Sequence, residues 1–226
     1  YTALDHLRPE ERKIITIENP VEIQSPGLIQ MEVKPELGWS FASALRSVLR
    51  HDPDVLMVGE IRDGETAELA VRAAMTGHLV LSTLHTNRAS EAVMRLKDMD
   101  VPDFLLTSVL RLVGAQRLIR TLCDHCARPV DMTQNARFDR LFAAFAEAVP
   151  DLGPPTNWTL RNATGCEACN NTGYAGRRAL FEFVDVTRGE TAPAQTMGAE
   201  GIRLFAQGKT TLRELGSVFG SGRFWT

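Results

Sequence analysis

DPDVLMVGEIRD, residues 52–63, is the stretch on which the fold turns. Val55, Leu56, Met57 and Val58 form a short apolar run without alternation, closed by Gly59 and Glu60. Such a run is expected of a strand covered on both faces. The same form recurs at Ile14-Ile15-Thr16-Ile17, followed by Glu18, and at Leu79-Val80-Leu81-Ser82, followed by Thr83, His85 and Thr86. Between these runs lie helical patterns. Residues 39–51 place Phe41, Leu45, Val48 and Leu49 at helical spacing, and residues 65–76 are rich in alanine and leucine. Alternating strands and helices predict right-handed crossovers and a mostly parallel α/β sheet with helices on both faces. Residues 89–99 and 102–120 read as further helical cover.

Composition sets the outer bounds. The 226 residues are 44% hydrophobic, 23% charged and 7% aromatic, as in an ordinary globular protein with room for a full core. A formal charge of -3 lacks the basic footprint of a nucleic-acid partner. No apolar run reaches the roughly 20 residues of a membrane span, and no signal peptide opens the chain, so a cytoplasmic protein is expected.

In an open parallel sheet, ligands sit outside the carboxyl ends of the strands. Glu18, Glu60 and His85, with Thr83 and Thr86, all follow such ends. Two carboxylates and an imidazole at one edge suit metal-nucleotide chemistry. A carboxylate can orient or deprotonate a water or hold Mg²⁺ through its water shell, and an imidazole can hydrogen-bond a phosphate. Taken singly, each Glu is more often a solvated or capping residue, and a lone His at a strand end is usually structural. It is their common register that points to a site.

Past residue 121 the character changes. Cys123 and Cys126 form one C-x-x-C knuckle and Cys166 and Cys169 another, the only four cysteines in the chain. Four thiolates satisfy tetrahedral Zn²⁺ completely, the mark of a structural site rather than a catalytic one. His125 is a competing ligand, but its place inside the first knuckle argues against it. Residues 127–165, with a helical pattern through Phe138, Leu141, Phe142 and Phe145, become a subdomain closed by the metal. Residues 177–186 read as a strand. The rest begins as loop and ends in short helices. The expected division is 1–121, 122–186 and 187–226.

These motifs together resemble a known family. ITIENPVE, residues 15–22, is similar to the acidic box of the ATPases that drive type II secretion and type IV pilus assembly. Residues 52–63 resemble their Walker B region. TGHLVLSTLHTN, residues 76–87, resembles their histidine box, and AQRLIRTLC, residues 115–123, continues the likeness into the cysteines. The resemblance runs over about residues 10–186 and implies a RecA-like ATPase using ATP and Mg²⁺, with Zn²⁺ in a tetracysteine insert. Glu60 falls on the Walker B glutamate, Glu18 on the acidic-box glutamate as general base, and Glu22 on a second acidic position. His78 and His85 fall on the histidine-box pair that contacts the γ-phosphate. Arg50 and Arg62 match arginines that neutralise phosphate charge, though surface ion pairing explains them as well. Asn19 stands where the family usually has aspartate.

The resemblance further implies a homohexamer, peripheral at the inner membrane, with a platform protein and a membrane-linked adaptor as partners and no nucleic acid. The cysteine insert favours secretion or pilus extension over retraction. Phosphate binding in this class needs G-x-x-x-x-G-K-[ST], which these residues lack. Gly208-Lys209-Thr210-Thr211 is no substitute, since Arg203 stands where the first glycine should. It reads as helix punctuation, with Thr211 and Glu214 as a capping box. The P-loop and its strand are expected immediately before Tyr1, and the chain alone is expected to be inactive. Two rival readings are a non-hydrolysing zinc-stabilised interaction module and a nucleic-acid-handling ATPase of the same broad fold.

Overall fold

Four short strands, β1 (Ile14–Glu18), β2 (Ile29–Glu32), β3 (Val55–Val58) and β4 (Leu79–Ser82), form a parallel sheet in the order β2-β1-β3-β4. The structure is a computed structural model that describes residues 1–7, 12–130 and 136–220, with the side chains of 136–140 aside. Its chain divides into two units, Tyr1–Val113 with Asp185–Thr191, and Gly114–Val184 with Ala192–Thr226.

In the first unit the strands explain their own lack of alternation. Ile15, Ile17, Leu56 and Val58 face one apolar cluster, with Phe41, Leu45 and Val48 of α2 (Phe41–Val48), Ala67, Ala70 and Val71 of α3 (Gly64–Met75), and Leu106. Ile14 and Val55 face another, with Leu4 of α1 (Thr2–Leu7). In β1 and β3 neighbouring side chains point to opposite faces and both faces are covered, so the positions are apolar apart from Thr16 and Glu18 of β1. Each such burial contributes about 1.5–3 kcal/mol. Helix α2 starts at Ser40, whose side chain and that of Ser43 cap each other's backbone N–H groups. Helix α3 starts at Asp63, which accepts the Thr66 N–H at 2.8 Å. Helices α4 (Glu91–Lys97) and α5 (Asp103–Val109) complete the unit.

Residues 102–120 depart from expectation. Only α5 is helical, and β5 (Leu112–Leu122) follows as a long strand. Its partner is β8 (Tyr174–Asp185), far away in sequence, and pairing with it overrides local helical preference. Gly114 lies under the Phe183 ring, where a Cβ would stand 2.9 Å from the ring edge.

The second unit adds the two-residue pair β6 (Arg128–Pro129) and β7 (Arg161–Asn162), and the helices α6 (Ala136–Ala148), α7 (Met197–Ala206) and α8 (Leu212–Phe219). Ile119, Phe142, Phe145, Leu180, Phe205 and Leu215 share one core, with Trp158 edge-on to Phe142 at 5.5 Å. The Phe138 side chain lies outside the described residues. Among the described residues no helix is long and apolar enough to cross a membrane.

Candidate nucleotide edge and metal centre

Register aligns the carboxyl ends of the central strands. Ile17 pairs with Val58 and Val58 with Ser82, so Glu18, Glu60 and Thr83 emerge on one edge. The edge is tied together beyond the strands. The Gly59 N–H donates to the Ile17 carbonyl at 2.8 Å, and a Cβ on Gly59 would stand 3.1 Å from that oxygen. Only glycine permits so close a backbone approach at no cost. The Thr83 hydroxyl donates to the Gly59 carbonyl at 2.6 Å, and the Ile61 N–H donates to the Thr83 carbonyl at 3.0 Å. Glu60 is therefore presented from a braced turn.

The two carboxylates sit in different fields. Glu60 meets the Arg62 Nε at 2.5 Å and the His85 Nε2 at 3.0 Å. Burial pushes its carboxyl up, but these two groups outweigh burial and hold it below the ordinary value of 4.5. Glu60 is 13% exposed, whereas Arg62 and His85 are 64% and 77% exposed and reach into solvent. Glu18 is 4% exposed and, among the described residues, is held by the neutral Tyr1, Thr16 and Gln30. Its Oε1 accepts the Thr16 hydroxyl at 2.6 Å and the Gln30 Nε2 at 3.0 Å, and its Oε2 accepts the Tyr1 hydroxyl. Burial and the bond to Glu18 push the Tyr1 hydroxyl above its ordinary 10.0, which keeps it a donor.

Not every expected residue reaches this edge. Glu22 is exposed on the loop after β1, beyond the exposed Asn19 and the cis Asn19-Pro20 bond. His78 precedes β4, at the amino end of a strand that rises about 13 Å from residue 78 to Ser82, whereas His85 follows its carboxyl end. The His78 Nδ1 is 2.8 Å from the Ala73 carbonyl oxygen and 3.1 Å from the Thr76 hydroxyl. Arg50, in the single 3-10 turn Leu49–His51 before β3, is also on that far side. Tyr1, Thr16 and Gln30 were not legible as site residues. Thr16 alone carried a signal, being two residues before Glu18 on the same strand face.

In the second unit the cysteines converge. All four Sγ atoms lie within 4.8 Å of one another. Cys123 and Cys166 are 3.9 Å apart, Cys126 and Cys169 3.8 Å, and Cys166 and Cys169 3.8 Å. A tetrahedron with Zn–S bonds of about 2.3 Å has edges of about 3.8 Å, so the thiol set fits a zinc ion. The β6–β7 pair closes the knuckles onto each other, aided by the Thr164 hydroxyl bonded to the Cys126 carbonyl. The Cys169 sulfur accepts N–H groups from Cys166 at 3.3 Å and Gly173 at 3.2 Å. Burial pushes its thiol up, but these bonds bring it down to about 6. Burial and the neighbouring thiols push Cys166 up to about 11. Cys169 is thus prepared as a thiolate, while Cys166 favours its protonated form.

Comparison with known proteins gives this arrangement its context. The model of the family described as "Type II/IV secretion system protein" matches residues 1–219. The chain is 43% identical over 234 residues to "Type II secretion system protein E" of Pectobacterium carotovorum subsp. carotovorum, covering 95% of this chain and 44% of that one. It is 41% identical over 236 residues to "Type IV pilus assembly ATPase PilB" of Acinetobacter baylyi, covering 96% of this chain and 40% of the relative. The chain thus spans less than half the length of either. Among solved structures, the pilus retraction motor PilT with bound ADP is similar at a TM-score of 0.61 and 26% identity, over 97% of this chain and 56% of that one. A match along nearly the whole chain, on an α/β fold of the same kind, means that it belongs to the type II/IV secretion system protein family.

Proposed function

We propose that this chain is part of a RecA-like ATPase that uses Mg²⁺ and drives type II secretion, through pseudopilus assembly, or type IV pilus assembly. The working form in this reading is a cytoplasmic homohexamer, peripheral at the inner membrane, acting on a platform protein with a membrane-linked adaptor. The observation that carries it is the meeting of Glu18, Glu60 and His85 at one carboxyl edge of a parallel sheet.

The residues divide the work by their environments. Glu60, kept charged by Arg62 and His85, would hold Mg²⁺ and orient the attacking water. Glu18, held in a fixed rotamer by neutral donors, takes that water's proton, with Glu22 on the adjoining loop as a second acidic group. Mg²⁺ itself would supply charge neutralisation at the phosphates. Arg62 and His85 extend into solvent, from where they would reach a terminal phosphate. His78 and Arg50, on the far edge, are assigned to phosphate contacts across a subunit boundary. Zn²⁺ on Cys123, Cys126, Cys166 and Cys169 is structural, because four thiolates leave no open position. The 226 residues contain no G-x-x-x-x-G-K-[ST], so the phosphate cradle lies outside them and this chain alone turns over no ATP.

The test is Glu60→Gln in the full-length protein. Hydrolysis should fall by about 10²–10⁴-fold with ATP still bound, as expected for loss of a group acting on the attacking water. Wild-type turnover in that variant would overturn the assignment. Absence of ATP hydrolysis by the wild-type full-length protein would instead favour the second reading, a non-hydrolysing zinc-held interaction module, for which the neutral Asn19 in the acidic box already argues.

A further inference from the structure

We propose that Gln30 is a positioning residue, which aims the Glu18 carboxylate and pins the acidic loop to it. The proposal rests on reading Glu18 as the base. Gln30 stands opposite Thr16 in the β1–β2 register and presents its amide on the same face. Its Oε1 accepts the Ser25 N–H at 2.7 Å. Its Nε2 donates to the Ile23 carbonyl at 2.9 Å and to the Glu18 Oε1 at 3.0 Å. One acceptor faces one donor and two N–H groups face two acceptors, so the amide orientation follows from its partners.

Two consequences follow from this geometry. Thr16 and Gln30 together fix Oε1, so the carboxylate cannot rotate to exchange its oxygens, and Oε2, which accepts the Tyr1 hydroxyl alone, keeps a lone pair for the water. The same amide holds residues 23 and 25, so the loop that carries Glu22 moves with Glu18. No other side chain type of this length can do both. A glutamate cannot donate, and a methionine can neither donate nor accept at useful strength. A displacement of about 1 Å in a reacting group is enough to cost about 10²-fold in rate.

The experiment is a double-mutant cycle in the full-length protein, read by single-turnover phosphate release, which resolves residual rates. Gln30→Met and Gln30→Glu should each lower kcat by about 10–100-fold. The KM for ATP should stay within about twofold, with unchanged thermal melting and oligomeric state. In a Glu18→Ala background the same changes should have no further effect, because Gln30 acts only through Glu18. Equal losses in both backgrounds, unchanged kcat in the single variants, or a rise in KM alone would overturn the proposal. Wild-type kcat in Glu18→Ala alone would instead remove the reading of Glu18 as base, a separable failure.

Discussion

Three carboxylates of this chain show how neighbours decide what a buried acid does. Glu18 is held by neutral donors and Glu60 by exposed cations, as a site requires. Glu214 is 4% exposed and is bound by the Arg120 backbone N–H at 3.0 Å and by its Nε at 2.8 Å and Nη2 at 2.5 Å. The Arg120 guanidinium in turn lies 4.2 Å over the Tyr174 ring, whose hydroxyl is 2.7 Å from that of Thr211. Burial pushes the Glu214 carboxyl up, and Arg120 overcomes this and holds it below 4.5. A depressed folded pKa contributes stability that is fully present above about 4.5 and is lost as pH falls through the folded value. Arg120→Met leaves the buried charge unpaired and should cost about 3 kcal/mol at pH 7, the low end for a buried pair because Arg120 is itself 46% exposed. Glu214→Gln leaves a cation that solvent can reach and should cost only about 1–2 kcal/mol. Near pH 3 the Arg120→Met penalty should shrink as Glu214 takes a proton. Urea unfolding at both pH values checks the order, and equal costs at pH 7 would sink it. The sequence marked Thr211 and Glu214 as a capping box, and half of that holds. Thr211 accepts the Glu214 N–H at 3.1 Å, but the carboxylate turns to Arg120, a long-range partner that local spacing cannot reveal.

Elements were legible where one segment determines itself. The runs at 14–17 and 55–58 are strands covered on both faces, the half-exposed run at 79–82 pairs alongside them, and Asp63 and Ser40 cap the helices that follow from local chemistry. Strand β2 was not legible, since Ile29, Gln30, Met31 and Glu32 are half polar at a sheet edge. That is why Gln30 was missed with it. Strand β5 needed β8 to exist. The knuckles belong between these cases, since their spacing names the chemistry but their closure depends on residues 127–165. The two-residue ladder of β6 and β7 is too short to hold that loop shut against its closure entropy. The metal is therefore expected to supply the difference, because its binding free energy becomes folding free energy. Metal analysis should find one zinc per chain. Chelation should lower the melting transition reported by Trp158, which packs on Phe142 and Phe145 in the same unit. Cys169→Ser should do the same, whereas His125→Ala should keep its zinc. Loss of zinc from His125→Ala, or a zinc content well below one in the native chain, would contradict the four-thiolate set.

At the scale of the molecule, the edge that handles charge and the sequence that would cradle phosphate are separate questions. The carboxyl edge places acids and cations together, but among the described residues it has no glycine-rich turn with N–H groups aimed at a phosphate chain. The single lysine-containing candidate, at 208–211, is spent on packing. A Cβ on Gly208 would stand 2.3 Å from the Thr159 carbonyl oxygen, Thr210 and Thr211 are buried, and the Leu122 N–H donates to the Lys209 carbonyl at 2.8 Å. The Gly208 and Lys209 N–H groups donate to the Phe205 and Leu204 carbonyls, at 2.9 and 2.8 Å, and so are given to the protein's own backbone. Two outcomes are expected from this. The isolated 226-residue chain should release no phosphate from ATP above background at any Mg²⁺ concentration. In the full-length protein Lys209→Ala should leave turnover within about twofold of wild type, because an exposed side chain away from the phosphates contributes little. A malachite-green assay on both proteins decides it. Steady hydrolysis by the isolated chain, abolished by Lys209→Ala, would mean that this segment does bind phosphate and that the sheet edge is completed from within these residues.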